Sequence, residues 1–182
     1  MRIIAGTCKG RTLKTPKWDG LRPTSDRLRE TLFNILAHRI DDRRVLDVFA
    51  GTGAVGLEAL SRGAKSAVFV EHDRRAAVLI AENAALCRVQ DRCVIIRQAA
   101  EIALEGLAHQ DPFDVIVLDP PYDRPELNDL LSRAATLLTL DGIMVLEHAW
   151  RRSPPEATGS VLRRTVRSGD SGLSFYDPAP TR

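Results

Sequence analysis

Short runs of Val, Ile and Leu punctuate the chain from residue 45 onward: Val45 to Ala50, Ala67 to Glu71, Val94 to Arg97, Val115 to Asp119 and Ile143 to Glu147. They run apolar almost without interruption instead of alternating with polar residues, the pattern of strands buried on both faces. Between them, apolar residues recur at helical spacing over Val55 to Arg62, Arg74 to Cys87, Glu101 to His109 and Glu126 to Leu138. Strand and helix alternating in this way predict an α/β fold with a doubly wound, mostly parallel sheet. Two further extended runs, Val161 to Val166 and Leu173 to Tyr176, flank Ser168-Gly169-Asp170-Ser171-Gly172 and predict a terminal hairpin, which makes the sheet seven-stranded. Residues from Asp177 to Arg182 are expected to fray.

The first 22 residues break this rhythm. Short apolar and basic pieces alternate around Gly6, Gly10, Pro16 and Gly20, which predicts a small β extension built of strands and turns, peripheral to the core. After Pro23, the capping candidates Thr24, Ser25 and Asp26 open a helix whose Leu28, Leu32, Ile35 and Leu36 recur through about His38. The expected organisation is therefore an extension over 1–22 and one domain over 23–182.

Composition narrows the class. At 182 residues, with 44% hydrophobic and 27% charged residues, the chain suits one globular domain and neither a disordered nor a fibrous protein. No apolar run approaches the roughly 20 residues of a membrane span, and Met1 to Thr7 leads into no long apolar stretch, so a cytosolic monomer is expected. Cys8, Cys87 and Cys93 are odd in number and lack CxxC spacing, and His38, His72, His109 and His148 are scattered, so no metal is expected. The net charge of +2 hides an asymmetry: residues 1–44 carry a balance of +6, residues 45–150 one of −7, and the remainder +3. Basic ends on an acidic body suggest docking of an anionic polymer, although a solvated charged face has the same signature.

In such a sheet, ligands bind beyond the carboxyl ends of the strands. After the first strand runs Asp47-Val48-Phe49-Ala50-Gly51-Thr52-Gly53-Ala54-Val55-Gly56, a glycine turn leading into a helix. Its GxGxxG spacing alone also suits a nicotinamide dinucleotide. Asp47 tilts the choice, because a carboxylate repels a pyrophosphate but attracts an ammonium group. Glu71, closing the second strand, can accept from two ribose hydroxyls at once. Together these features describe S-adenosylmethionine, held by Asp47, by Ala50, Gly51, Thr52 and Gly53, and by Glu71 and His72.

The fourth strand ends in Asp119-Pro120-Pro121-Tyr122. A base amine can donate to the Asp119 carboxylate and the Pro120 carbonyl together, the two prolines stiffen the turn, and Tyr122 can stack on the base. The bland reading of Pro-Pro as a strand end loses force once it is joined to the glycine turn and Glu71 in this order.

These residues resemble the class I S-adenosylmethionine methyltransferases that modify exocyclic amines, whose fourth motif reads Asn or Asp-Pro-Pro-Tyr or Phe. Arg2-Ile3-Ile4-Ala5-Gly6, Lys9-Gly10-Arg11, Leu21 to Arg27, Glu30 to Leu36, Phe49 to Gly53, Gly56 to Ala64 and the Gly-Asp-Ser turn at 169–171 resemble the RsmD family in particular. The resemblance implies methylation of guanine N2 in small-subunit (16S) ribosomal RNA, on an assembled or assembling particle. It implies RNA contacts from the extension, at Arg2, Lys9, Arg11 and Lys14, with Arg22 and Thr24 over the cofactor or target base. Where that family usually has an Asp near the adenine, Ala99 stands here, so Gln98 or the backbone is expected to read the adenine. An adenine-N6 methyltransferase on DNA or RNA is the alternative, because the same acceptors hold either amine. A nicotinamide-dependent oxidoreductase leaves Asp47 and the Pro-Pro-Tyr turn without a role, and a non-catalytic RNA-binding module explains only the basic ends.

Overall fold

A computed structural model describes residues 1–18, 24–121 and 124–180. After helix α1 (Asp26–Leu36) and a single 3-10 turn, β1 (Arg44–Val48), α2 (Ala54–Ser61), β2 (Ser66–Val70), α3 (Arg74–Cys87), β3 (Cys93–Ile96), α4 (Ala100–Leu107), β4 (Phe113–Leu118), α5 (Leu127–Ala135) and β5 (Leu138–Ala149) follow in strict alternation. The hairpin of β6 (Ser160–Ser168) and β7 (Ser171–Pro178) closes the chain. The seven strands lie in the order β3-β2-β1-β4-β5-β7-β6, parallel through β5, with β7 antiparallel to both its neighbours. The doubly wound expectation therefore holds, and the order reverses between β1 and β4, the switch point of the sheet.

Side chains alternate across the pleat, so each face has its own core. Val45, Phe69, Val115, Val117, Val145, Leu173 and Phe175 pack toward α1, α2 and α3. Leu46, Val48, Val70, Ile116, Leu118, Leu146 and Tyr176 pack toward α4 and α5.

Three expectations give way. The amino-terminal extension pairs at one isolated bridge, Arg2 with Thr12, rather than forming strands. It is also not peripheral: Ile3, Cys8 and Leu13 are buried in the core of the α1–α3 face, each apolar side chain contributing about 1.5–3 kcal/mol of burial. A spacing of short apolar pieces between glycines cannot reveal this, because it carries no period. Next, β5 begins five residues before Ile143, since Phe113 pairs with Leu138 ahead of a bulge that hides the strand behind Asp141-Gly142. Finally, Asp177 and Pro178 are paired with Val161 and Ser160 instead of fraying, and the hairpin turns in two residues, Gly169 and Asp170.

The extension is held by a buried carboxylate. Glu58 of α2, fully buried, accepts from Ile4 N at 2.8 Å, from Ala5 N at 3.0 Å and from Arg62 Nε at 2.8 Å. Arg29 of α1, equally buried, approaches it at 3.7 Å and also donates to the Arg2 carbonyl at 2.8 Å and to Asp26 at 2.6 Å. Ser61 adds to the tie, accepting from Cys8 N at 2.9 Å and donating to the Ala5 carbonyl at 2.6 Å. Removing one partner of such an arrangement strands the other as an uncompensated buried charge. Glu58→Ala is expected to lower the free energy of unfolding by about 3–5 kcal/mol in urea denaturation. A loss below about 1 kcal/mol, the value of an exposed pair, would show that the tie carries little.

Candidate functional site

The glycine turn after β1 is folded by its own geometry. Gly53 has φ 75°, the left-handed conformation at the start of α2, and a Cβ there would press on Ile80 at 3.1 Å. At Gly56 a Cβ would overlap Phe69 at 2.3 Å, so only glycine lets α2 lie this close to β2. Asp47 anchors the turn from below, its Oδ2 accepting from Gly56 N at 2.9 Å. Asn83 anchors it from the side: its amide donates to the Thr52 carbonyl at 3.0 Å and to the Lys14 carbonyl at 3.1 Å, while its oxygen accepts from Lys14 N at 2.8 Å. Sequence reasoning missed Asn83. Its signal was a lone amide on the otherwise apolar face of α3, among Leu79, Ile80, Ala84 and Cys87.

Glu71 follows β2 and is buried. Its Oε2 accepts from Gly51 N at 2.9 Å and its Oε1 from Asp73 N at 2.8 Å, with His72 Nδ1 at 3.2 Å. Two backbone donors thus lock the carboxylate in one plane. A carboxylate has roughly four acceptor directions, so a pair of vicinal hydroxyls fits the remaining ones. Gln98 and Ala99 lie exposed on the neighbouring loop after β3.

Asp119 follows β4, half-buried, with its amide still donating to the Val48 carbonyl at 3.3 Å. Pro120 is buried and Pro121 exposed. Thr24, just before α1, donates from Oγ1 to Asp119 Oδ2 at 3.3 Å, which sets it beside this carboxylate. The helix itself is capped by Ser25, accepting from Leu28 N at 3.2 Å. Arg22 and Tyr122 lie outside the described residues.

Asp47, Glu71 and Asp119 therefore converge from three adjacent strands. Burial pushes the Asp47 carboxyl up to about 8; the hydrogen bond from Gly56 opposes this, and the charges of Asp119 and Glu71 add to it. An acidic site strained in this way favours a ligand that carries positive charge near Asp47 and Asp119 and hydroxyls near Glu71.

The basic residues of the extension divide. Arg2 and Lys9 are exposed, whereas Arg11 donates to the Leu86 carbonyl and Lys14 pairs with Glu82 at 3.0 Å, both on α3. Arg11 and Lys14 fasten the extension to α3.

Residues 1–177 match the family model described as Conserved hypothetical protein 95. The chain is 37% identical to the "Putative rRNA methyltransferase YlbH" of Bacillus subtilis, over 97% of this chain and 98% of that one. It is 42% identical to the "Ribosomal RNA small subunit methyltransferase D" of Escherichia coli over 72% of this chain and 65% of that relative's length. The solved "Putative methyltransferase yhhF" of Escherichia coli superposes with a TM-score of 0.83 at 34% identity, covering 98% of this chain and 97% of that one.

Two outcomes are expected. Between the ordinary carboxylate value near 4 and about 8, the folded chain keeps a proton on Asp47 that the unfolded chain has lost, so this group's contribution to stability falls as pH rises through that window. Asp47→Asn, which keeps an acceptor for Gly56, should be more stable than the wild type at pH 8 and lose that advantage toward pH 4 in paired denaturation series. Ala99, at the amino-terminal cap of α4, makes no side-chain capping bond. Ala99→Asp should stabilise the chain by about 0.5–2 kcal/mol in thermal or urea unfolding, and no gain would show that the helix start is satisfied otherwise.

Proposed function

The chain belongs to the Conserved hypothetical protein 95 family, the RsmD family of methyltransferases, and on that premise we propose that it moves a methyl group from S-adenosylmethionine to the exocyclic N2 amine of a guanine in small-subunit (16S) ribosomal RNA. The observation that carries the reading is the convergence of Asp47, Glu71 and Asp119 on one face of the sheet beside the glycine turn. The residue chemistry fits the cofactor: Asp47 suits its ammonium group, Glu71 its ribose hydroxyls, and the backbone of Ala50 to Gly53 its close approach. His72, Gln98 and the Ala99 backbone complete its surroundings.

When bound, S-adenosylmethionine supplies an electrophilic methyl group on a sulfonium. The chain's own task is to present the nitrogen. Asp119 and the Pro120 carbonyl accept from the two N2 hydrogens, which aims the amine lone pair and keeps electron density on it. Methylation would leave the amine with one proton to lose, and the Asp119 carboxylate, already accepting from it, would be the group placed to take that proton. Pro121 stiffens the turn, so positioning costs little entropy at the moment of reaction. Tyr122, by its place in the motif, stacks on the base, and Thr24 steadies the Asp119 carboxylate. Arg2, Lys9 and Arg22 are assigned to RNA phosphates, whereas Arg11 and Lys14 serve the fold first. The substrate is read as the ribosomal particle, with the chain acting as a monomer without metal.

The test is transfer of labelled methyl from S-adenosylmethionine to small subunits from a strain lacking the gene, with the product mapped by mass spectrometry. Asp119→Ala and Tyr122→Ala should each lower turnover by about a hundredfold while S-adenosylhomocysteine binding survives. Full turnover in either variant would remove that residue from its role. Tight binding of a reduced nicotinamide dinucleotide in place of S-adenosylhomocysteine would end the proposal.

A further inference from the structure

The site holds a fourth carboxylate that neither the sequence motifs nor the relatives' names point to. Along β4 and β5, Val117 lies beside Val145 and Leu118 beside Leu146. Continuing that register by one residue sets Asp119 beside Glu147, on strands about 4.8 Å apart. The parity of the pleat fixes the face. Val117, Val145 and Leu173 all pack toward α1–α3, and Glu147 pairs across the sheet with Leu173. Glu147 is therefore on the same side as Asp119, and it is only 8% exposed. Ser171 Oγ donates to its Oε1 at 3.0 Å, which orients the carboxylate from the β7 side.

A carboxylate kept this deep beside a base-holding residue has a chemical consequence. The Watson–Crick edge of guanine offers two kinds of donor side by side, the N2 amine and N1–H. Adenine offers its N6 amine beside N1, which is a bare acceptor. Asp119 and the Pro120 carbonyl serve an exocyclic amine on either base, so they do not discriminate. A second carboxylate one strand away meets the next atom along the edge. It accepts from guanine N1–H and repels the lone pair of adenine N1.

We propose that Glu147 is the specificity-determining residue of the site, accepting a hydrogen bond from N1–H of the target guanine. This inference rests on the methyltransferase reading above and adds the rule by which guanine is chosen over adenine.

The experiment uses small subunits reconstituted with 16S RNA that carries, at the methylated position, either guanosine or 2-aminopurine riboside. The analogue keeps the amine at C2 but has no hydrogen on N1. The wild-type chain should methylate guanosine with a kcat/KM about 10- to 100-fold above the analogue, the discrimination of one hydrogen bond to a charged acceptor. Glu147→Gln, whose amide can donate to a bare N1, should lose about tenfold on guanosine and bring the ratio of the two substrates toward unity. An equal fall on both substrates, with the wild-type ratio intact, would make Glu147 merely structural and overturn the inference. Wild-type turnover that is the same on both substrates would overturn it without recourse to any variant. A wild-type chain that methylates neither, in particles known to lack the modification, would instead overturn the function on which the inference stands.

Discussion

The buried carboxylate of Glu58 is the contact on which the arrangement of the active face depends. Taking a carboxylate out of water costs several kcal/mol unless charge and hydrogen bonds offset it. Here the offset comes from the amides of Ile4 and Ala5, from the guanidinium of Arg62 at the end of the same helix, and from Arg29 of α1. None can leave without exposing the others to an unpaired buried group. The first residues of the chain and α1 are thereby fixed over α2, the helix into which the glycine turn leads. Since α1 begins just after Thr24, the tie also sets the distance between Thr24 and Asp119. A local electrostatic requirement deep under the helices thus reaches the carboxyl ends of the central strands, where the chemistry is proposed.

A second constraint follows from the pleat. In parallel strands held in register, residues at matching positions share a face, so beyond the bulge that follows Phe113, Val45, Val115, Val117, Ile143 and Val145 all look toward α1–α3. Asp47, Asp119 and Glu147 inherit that face by parity, and Glu71 joins them from the end of β2 through its bond to Gly51. Mutual repulsion among such groups is unfavourable to the folded chain, which is why the charges of Asp119 and Glu71 add to the upward shift that burial imposes on Asp47. The sheet tolerates this because its two apolar cores are extensive and because Gly56, Gly51 and Asp73 each donate a backbone N–H to the acids. A ligand carrying positive charge would relieve the remainder.

Most of the strand and helix order was legible because parallel strands buried on both faces and amphipathic helices have opposite signatures. The span of α3, Arg74–Cys87, coincides with its apolar period. The places of Asp47, Gly51, Gly53, Glu71 and Asp119 at strand ends and in the turn after β1 were legible as well, because each lies where an apolar run stops. What escaped had no period to betray it. Ile3, Cys8 and Leu13 enter the core from a segment shaped by turns. Glu58 looks like an ordinary helical surface acid until the facing chain is known. Glu147 ends an apolar run and reads as a strand-end charge, because its neighbour Asp119 is distant in sequence and close only through the register.

Charge distribution points to the class of partner but not to the residues that meet it, and the structure explains why. Part of the basic surplus of the first 44 residues already has partners within the chain: buried Arg29 serves Glu58, while at the surface Arg11 and Lys14 bond to α3, and Arg43 and Arg44 pair with Asp114 and Asp111. Counting such residues as phosphate ligands would overstate the electrostatic part of RNA binding, since a cation that already has a carboxylate partner releases fewer counterions when a phosphate arrives. Exposed cations also occur at the opposite end of the sheet, where Arg167 stacks over the half-exposed Trp150 beside the β6–β7 turn. In the strand order, the acid-bearing β1, β4 and β5 lie inside the edge strand β6, which carries Arg167. On the function proposed above, a polyanion would meet such exposed cations while the reacting base enters the acidic centre, which reconciles a net charge of only +2 with a nucleic-acid substrate.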